Sequence, residues 1–466
     1  MAAFPLRVLG LLLALGAMPA RPQEESAPAA PAHPDARIAA ATCQNSGECV
    51  LRFDVGSVCR EAQCVRYLDR KDLLEMIGLK KSRGVLEPYK LYPSIIPAFG
   101  YTPQNGFVLG LTTLAGIYLG NPETTTISSL GLVAFFTTKS QFIAQSRNVA
   151  ILEGNSWQLH GDYRLLITNQ STYGLGGAAE AQATGFSVGG YGTTSTVGGE
   201  QPMDFNLVRF HQSVLKRVWG PVYLGGSFRF DRYYGIKDQL YAPEAVPPVI
   251  TAHAAYSQQF GFPSGAYNTS GLGLEAVFDS RDSTINAYRG WYLNASYRFY
   301  PEWLGSTRGA QLLYGEARTY VSLSADVPRN VLAFWVLAQG VTSGELPYLA
   351  LPSIGWDFAG RTGRGYVQGR FRGTAEVYAE AEFRFRITDN GFLGGTVFAN
   401  ASTFGSPALG VPGYVTSGEG LFSRIRPAGG VGLRFMMNRE ARNNVTLDFA
   451  FGQDSAGIYF GAGEAF

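Results

Sequence analysis

From Ser94 onward, apolar and polar residues alternate along the chain with a period of two. Between Ala375 and Ile387 the odd positions Ala375, Val377, Ala379, Ala381, Phe383, Phe385 and Ile387 are apolar, while Glu376, Glu380, Glu382, Arg384 and Arg386 hold even ones. Successive side chains of a strand point to opposite faces, so this run predicts a strand with one apolar and one charged face. Val222 to Asp231 repeats the pattern, setting Val222, Leu224, Phe228 and Phe230 against Ser227, Arg229 and Asp231. About sixteen such runs follow one another, near 94–101, 106–119, 126–138, 140–152, 156–168, 203–217, 221–235, 269–280, 289–300, 307–323, 330–342, 374–387, 391–402, 427–437, 444–451 and 456–466. A soluble sandwich also alternates, but Arg and Glu recur here along one face of a strand, as they do inside a membrane barrel.

The connections between runs agree with that assignment. With the first strand running outward, 169–202, 236–268, 343–373 and 403–426 all fall on the outer side, and all are long and rich in Gly, Ser, Thr or Pro. Inner connections such as LEGNS, VWGP, SADVPRN, TDN and NREARNN are mostly brief. An even number of strands puts both ends of the barrel on the periplasmic side. Trp219 and Trp291 stand at strand ends, where an aromatic girdle belongs. The fold class is therefore all-β, a transmembrane antiparallel barrel of about sixteen strands.

Composition sharpens this picture. Charged residues make up 16% of the chain, against about 25% in a soluble domain, because every second strand residue would face lipid. Beyond the N-terminus no apolar run is long enough for a membrane helix, and a net charge of +2 gives no nucleic-acid footprint. Residues 1–20 read as a signal peptide, with Arg7 before the apolar Val8–Ala17, and 21–42 as a Pro/Ala-rich linker. A Cys-rich periplasmic segment with a short helix, N-capped by Asp69, is expected over 43–92, and the barrel over 93–466. Cys43, Cys49, Cys59 and Cys64 cluster in that exported segment at spacings that do not match zinc motifs, so two disulfides are expected, in any of three pairings.

Several motifs occur in the order found in one family. Arg364-Gly365-Tyr366 precedes the twelfth strand, Glu382 lies on that strand, and Phe398-Ala399-Asn400-Ala401-Ser402 lies on the thirteenth. Asp279-Ser280-Arg281-Asp282 and Arg289-Gly290-Trp291-Tyr292 flank the turn between the eighth and ninth strands. Over roughly 93–466 the chain resembles the BamA/TamA superfamily, the bacterial surface antigen family, though no POTRA pattern is recognisable. The resemblance implies that the Arg364 tip folds into the lumen and pairs with Glu382. The family's second carboxylate is replaced by Asn400, so Glu380 or Glu376 is a reserve partner. Ile458, Phe460 and the terminal Phe466 fit the C-terminal signal of many outer-membrane barrels, with Glu464 breaking the alternation.

The resemblance further implies an outer-membrane insertase or translocase that opens between its first and last strands, a seam that Gly457, Gly461 and Gly463 would weaken. Unfolded outer-membrane or secreted proteins are the expected clients, with a periplasmic accessory protein as a further partner. A porin-like solute channel and a surface receptor are the alternatives. The chain's His33, His160, His211 and His253 compose no catalytic or metal site, so neither enzymatic activity nor a cofactor is expected.

Overall fold

The computed structural model describes residues 57–60, 63–66, 72–78, 86–102, 106–138, 140–178, 182–188, 191–197, 199–323, 329–388 and 391–466. The proposed signal peptide and linker, together with Cys43, Cys49 and Asp69, lie outside them. Among the described residues, sixteen strands form the barrel: β1 (Leu91–Thr102), β2 (Gly106–Ile117), β3 (Ser128–Thr137), β4 (Phe142–Ile151), β5 (Trp157–Asn169), β6 (Met203–Trp219), β7 (Val222–Asp238) and β8 (Ala266–Asp279), followed by β9 (Gly290–Tyr300), β10 (Ala310–Ser322), β11 (Val331–Gly344), β12 (Ala375–Arg386), β13 (Leu393–Gly405), β14 (Arg426–Asn438), β15 (Asn443–Gly452) and β16 (Ser455–Ala462). Each pairs antiparallel with the next.

Alternation decides what each wall presents. Leu109, Phe136, Ile167, Leu224, Leu274, Leu313, Val336, Val431 and Phe451 are exposed and apolar, forming a belt that only lipid would cover. Asp162, Arg164, Asp231, Glu275, Glu316, Glu380, Glu382, Arg434 and Asp448 are buried in the lumen. Trp219 and Trp291 are exposed at strand ends.

The N-terminal segment departs from expectation in its cap. The helix spans Leu73–Met76, and Asp72 caps it through a reciprocal bond with Glu75. The same Asp72 accepts from the Arg439 amide at 3.0 Å, fastening this segment to the turn between β14 and β15. Upstream, Ser57–Arg60 pairs with Gln63–Arg66 and sets Cys59 opposite Cys64. Directly opposed residues of an antiparallel pair have Cα atoms about 4.5–5.5 Å apart, within disulfide reach.

The C-terminus departs further. The alternation predicts a strand to residue 466, but β16 stops at Ala462 and the chain turns at Gly463, whose φ of 82° disfavours any side chain. Phe466 then tucks inward, its ring 5.3 Å from that of Trp335 and 6.1 Å from that of Tyr320. Ile458 alone of the expected signal residues is exposed. Glu464 breaks the alternation because it enters the lumen, where Arg434 Nε donates to it at 2.7 Å.

The barrel is not sealed where β16 meets β1. The two strands are neighbours in the circle, yet among the described residues no residue-by-residue ladder registers them. Instead they overlap, because lumen-facing Ile96 of β1 shares an apolar cluster with Phe460 and Ala462 on the outer face of β16, and Leu73 and Leu74 of the helix join it.

Backbone alternation explains why no ladder forms. The Thr138 amide donates to the Phe107 carbonyl, so odd residues of β2 face β3 and even ones face β1. The β1–β2 register pairs even with even, leaving odd residues of β1 on the seam. Two of these are Pro93 and Pro97, which have no amide proton, so the β1 edge lacks two of its donors. Pro93→Val with Pro97→Val should restore them and stiffen the seam, at about 0.5–1.5 kcal/mol per bond formed. Heat-modifiable gel migration should show the compact form surviving to higher temperature; an unchanged or lower transition would contradict this account.

A second expectation concerns the hairpin: Cys59 and Cys64 should be joined by a disulfide, leaving Cys43 to pair with Cys49. Peptide mapping under non-reducing conditions checks it, and four free thiols or another pairing would refute it.

Candidate functional site: the lumen loop and the seam

The connection from β11 to β12, residues 345–374, carries Gly363-Arg364-Gly365-Tyr366 into the lumen. Gly365 has φ of 107°, and a Cβ there would lie 2.8 Å from that of Ala428, so the tip needs glycine to lie against β14. Arg364 is 1% exposed, deeper than any surface loop would place it. Its guanidinium bonds Glu380 and Glu382 of β12 and reaches Asp448 of β15 at 2.7 Å. It also stacks on Phe398 of β13, 3.5 Å from the ring centroid.

Glu382 was singled out from the sequence and Glu380 held in reserve; both bond Arg364. Glu376 does not belong to this group, its carboxylate taking a 2.8 Å bond from Gln339. Asp448 was missed, although a lone acid between Leu447 and Phe449 was a signal for a lumen-facing charge. Asn400 has a different task from the carboxylate it replaces: its side-chain amide donates to the Arg364 carbonyl at 2.9 Å. A carboxylate has no proton to donate there.

The cluster extends beyond this pair. Arg384 donates to Glu382 at 2.6 Å, and Arg434 bonds both Asp448 and Glu464. Three guanidinium groups thus face four carboxylates, and the Tyr378 hydroxyl donates to Glu380. Burying charge is costly, and only dense mutual pairing can offset it.

Tyr366 and Tyr459 tie the tip to the final strands. Gly365 donates to the Tyr459 hydroxyl at 2.9 Å, which donates to the Tyr366 carbonyl at 3.1 Å. The Tyr366 hydroxyl donates to the Pro427 carbonyl and accepts from the Gln453 amide. All these contacts lie on β12 to β16 or the turn between the last two strands, while the loop before the tip is held by the opposite wall, where Arg147 of β4 donates to the Ala359 carbonyl and Arg164 of β5 to that of Asp357.

The mouth of the barrel on the side of the β8–β9 turn is crossed as well. Asp279 and Arg281 form a two-pronged pair at 2.9 Å, and the Arg281 guanidinium stacks on Tyr292, 4.3 Å from the centroid. Asp282 accepts from the Tyr288 and Arg289 amides and from Arg442 at 2.7 Å. Burial works against the Arg442 cation, but Asp282 more than offsets it and holds the group above its ordinary range. Arg289 itself is exposed, and Gly290 opens β9. Residues 280–289, read from sequence as a motif-bearing turn between the eighth and ninth strands, reach across the barrel: Ile285 packs with Tyr92, Ile127 and Ala441. Between this turn and the lumen loop lies a cavity of about 330 Å³ lined by charged groups including Asp162, Arg209, Glu275 and Arg318.

The chain is similar to BamA from Haemophilus ducreyi lacking POTRA domains 1–3, at 14% identity and a TM-score of 0.44, covering 78% of this chain and 67% of that one. It is also similar to CdiB from Escherichia coli, at 11% identity, a TM-score of 0.43 and coverage of 79% and 60%, and to CdiB from Acinetobacter baumannii, at 13%, 0.40, 78% and 56%. The chain thus spans less than two thirds of either CdiB chain. No family model and no curated protein matches the sequence.

Removing Arg364 strips a shared partner from three carboxylates, whereas Glu382 keeps Arg384 when Arg364 is lost. Arg364→Ala should therefore destabilise the barrel more than Glu382→Ala, by about 3–5 kcal/mol rather than the roughly 0–1 kcal/mol of an exposed pair. Both should raise conductance in planar bilayers, and the double variant should do little more than Arg364→Ala alone. Simple additivity would show that the two are not coupled. Asn400→Asp should weaken the latch by about 1–3 kcal/mol through the lost donor, read as a lower heat transition; a higher one would refute the donor role.

Proposed function

We propose that this barrel assists the insertion or translocation of proteins at the bacterial outer membrane, opening sideways between β1 and β16 so that a client strand can pair with an exposed edge. The observation that carries this reading is the seam, where an apolar overlap stands in place of a ladder. Every other barrel-strand junction would cost a row of backbone bonds to open, each left unmet in hydrocarbon. Here no ladder between β1 and β16 has to be broken.

The lumen loop supports the same reading over a solute channel, because Arg364 and Tyr366 fill the interior beside β12 to β16 and close the direct path for a solute. Its tip bonds β12 to β16, while residues 357–359 bond Arg147 of β4 and Arg164 of β5, so the plug spans the lumen. Unfolded outer-membrane or secreted proteins are the clients, met by backbone pairing rather than by side-chain readout. On this reading the segment before β1, fastened at Arg439, lies in the periplasm and gives an accessory protein a point of attachment. No chemical reaction is assigned.

Depletion of the protein, followed by an inventory of outer-membrane and surface proteins, tests the proposal. Loss of several barrels or of secreted surface proteins is the expected result. An unchanged inventory with altered uptake of small solutes would sink it in favour of the channel.

A further inference from the structure

The edge of β16 that β1 leaves unpaired is not bare. The Gly463 amide donates to the Asn444 carbonyl, so odd residues of β16 face β15 and even ones face the seam. Along that seam the strand Gln182–Val188 lies parallel to β16, from Ser455 opposite Ala183 to Phe460 opposite Val188. Its own hairpin partner is Tyr191–Val197. This hairpin comes from the outer connection between β5 and β6, far along the chain from either seam strand. At the other end of the edge, Arg361 of the lumen loop donates to the Ala462 carbonyl at 3.3 Å. The edge groups from Ser455 to Ala462 thus find partners supplied by the protein's own loops.

The two sides of the seam are therefore unequal. The β1 edge is short of donors at Pro93 and Pro97, while the seam-facing residues of β16, Ala456, Ile458, Phe460 and Ala462, all have an amide proton. Only β16 can accept a continuous added strand. We infer that the β16 edge is the docking site for an extended client segment, and that the hairpin Gln182–Val197 is a built-in occupant which the client displaces. This rests on the insertase reading above and adds to it which edge is used and what guards it.

The pairing itself suits a removable seal. A parallel ladder is slightly weaker per residue than an antiparallel one. The hairpin strands QATGFSV and YGTTSTV are rich in Gly, Ser and Thr, residues that bring little apolar area to hold them in place. What keeps the hairpin seated is its tether, which maintains an effective concentration on the order of millimolar for flexible links.

The test uses the full-length protein in phosphatidylethanolamine–phosphatidylglycerol vesicles. Thr184→Cys combined with Ala456→Cys should oxidise to an intramolecular crosslink, while Thr184→Cys with Ile95→Cys should not; the reverse pattern, or no crosslink in either, would overturn the placement. Next, residues 182–197 are replaced by a Gly-Ser linker, and a synthetic peptide of residues 182–188 carrying a benzophenone in place of Phe186 is added at tens of micromolar. Because the tethered strand competes at roughly millimolar strength, the shortened variant should capture at least about tenfold more peptide than the intact protein, mapped to residues 455–460. Equal capture by both proteins, or capture on 91–102, would refute the inference.

A third arm separates this inference from the function it builds on. If depletion disturbs the surface-protein inventory and the oxidised Thr184–Ala456 protein restores it fully, the displacement idea fails while the insertase reading stands. Failure of the oxidised form to restore it, reversed by reduction, supports both. If depletion changes nothing, the insertase reading fails, and the peptide capture alone decides whether the edge accepts a strand.

Discussion

Hydrocarbon gives a backbone no hydrogen-bond partners, and this barrel is organised around that single fact. An amide or carbonyl left unmet in lipid costs several kcal/mol, which is why fifteen consecutive strand junctions, β1–β2 through β15–β16, are laddered without exception. The sixteenth junction does not escape the constraint. Part of its need is met by different means: proline removes two donors from β1, a hairpin covers β16, and Arg361 takes a carbonyl at its end. Closure of the barrel and weakness of one joint follow from the same requirement.

Inside, the requirement changes from backbone to charge. Placing Arg364 among Glu380, Glu382 and Asp448 is tenable only because Arg384 and Arg434 share those carboxylates and Phe398 covers the guanidinium face. The tip bonds β12 to β16, and the crossing turn at 280–289 bonds Arg442 while packing Ile285 against Tyr92 of β1, so the inward loops brace both lips of the joint.

Much of this was legible in the sequence, for a physical reason. Alternation is a local property, dictated by lipid on one side and lumen on the other, so strand count, order and the side on which long loops fall could be read from residues such as Glu376 to Arg386. Arg364 and Glu382 were legible because their motifs stand in strand order. The rest depends on long-range geometry. Asp448 joins Arg364 across 84 positions of chain, and Ile285 reaches Tyr92 over the width of the mouth, neither of which periodicity encodes. Phe466 misled because its alternate spacing fits an outward strand, while Gly463 redirects it. The hairpin at 182–197 has no strong apolar period, since its partner is an edge rather than a core.

The overlap of Ile96 with Phe460 and Ala462 has a consequence for the size of the barrel. A ladder can shift only in two-residue steps, because a single step would turn every side chain to the wrong face. Apolar side chains stacked face to face carry no such register, and their attraction follows buried area rather than direction. The girth of the wall at this joint can therefore change by small continuous increments, each losing a little contact area, in a structure whose other circumference is fixed by counted bonds.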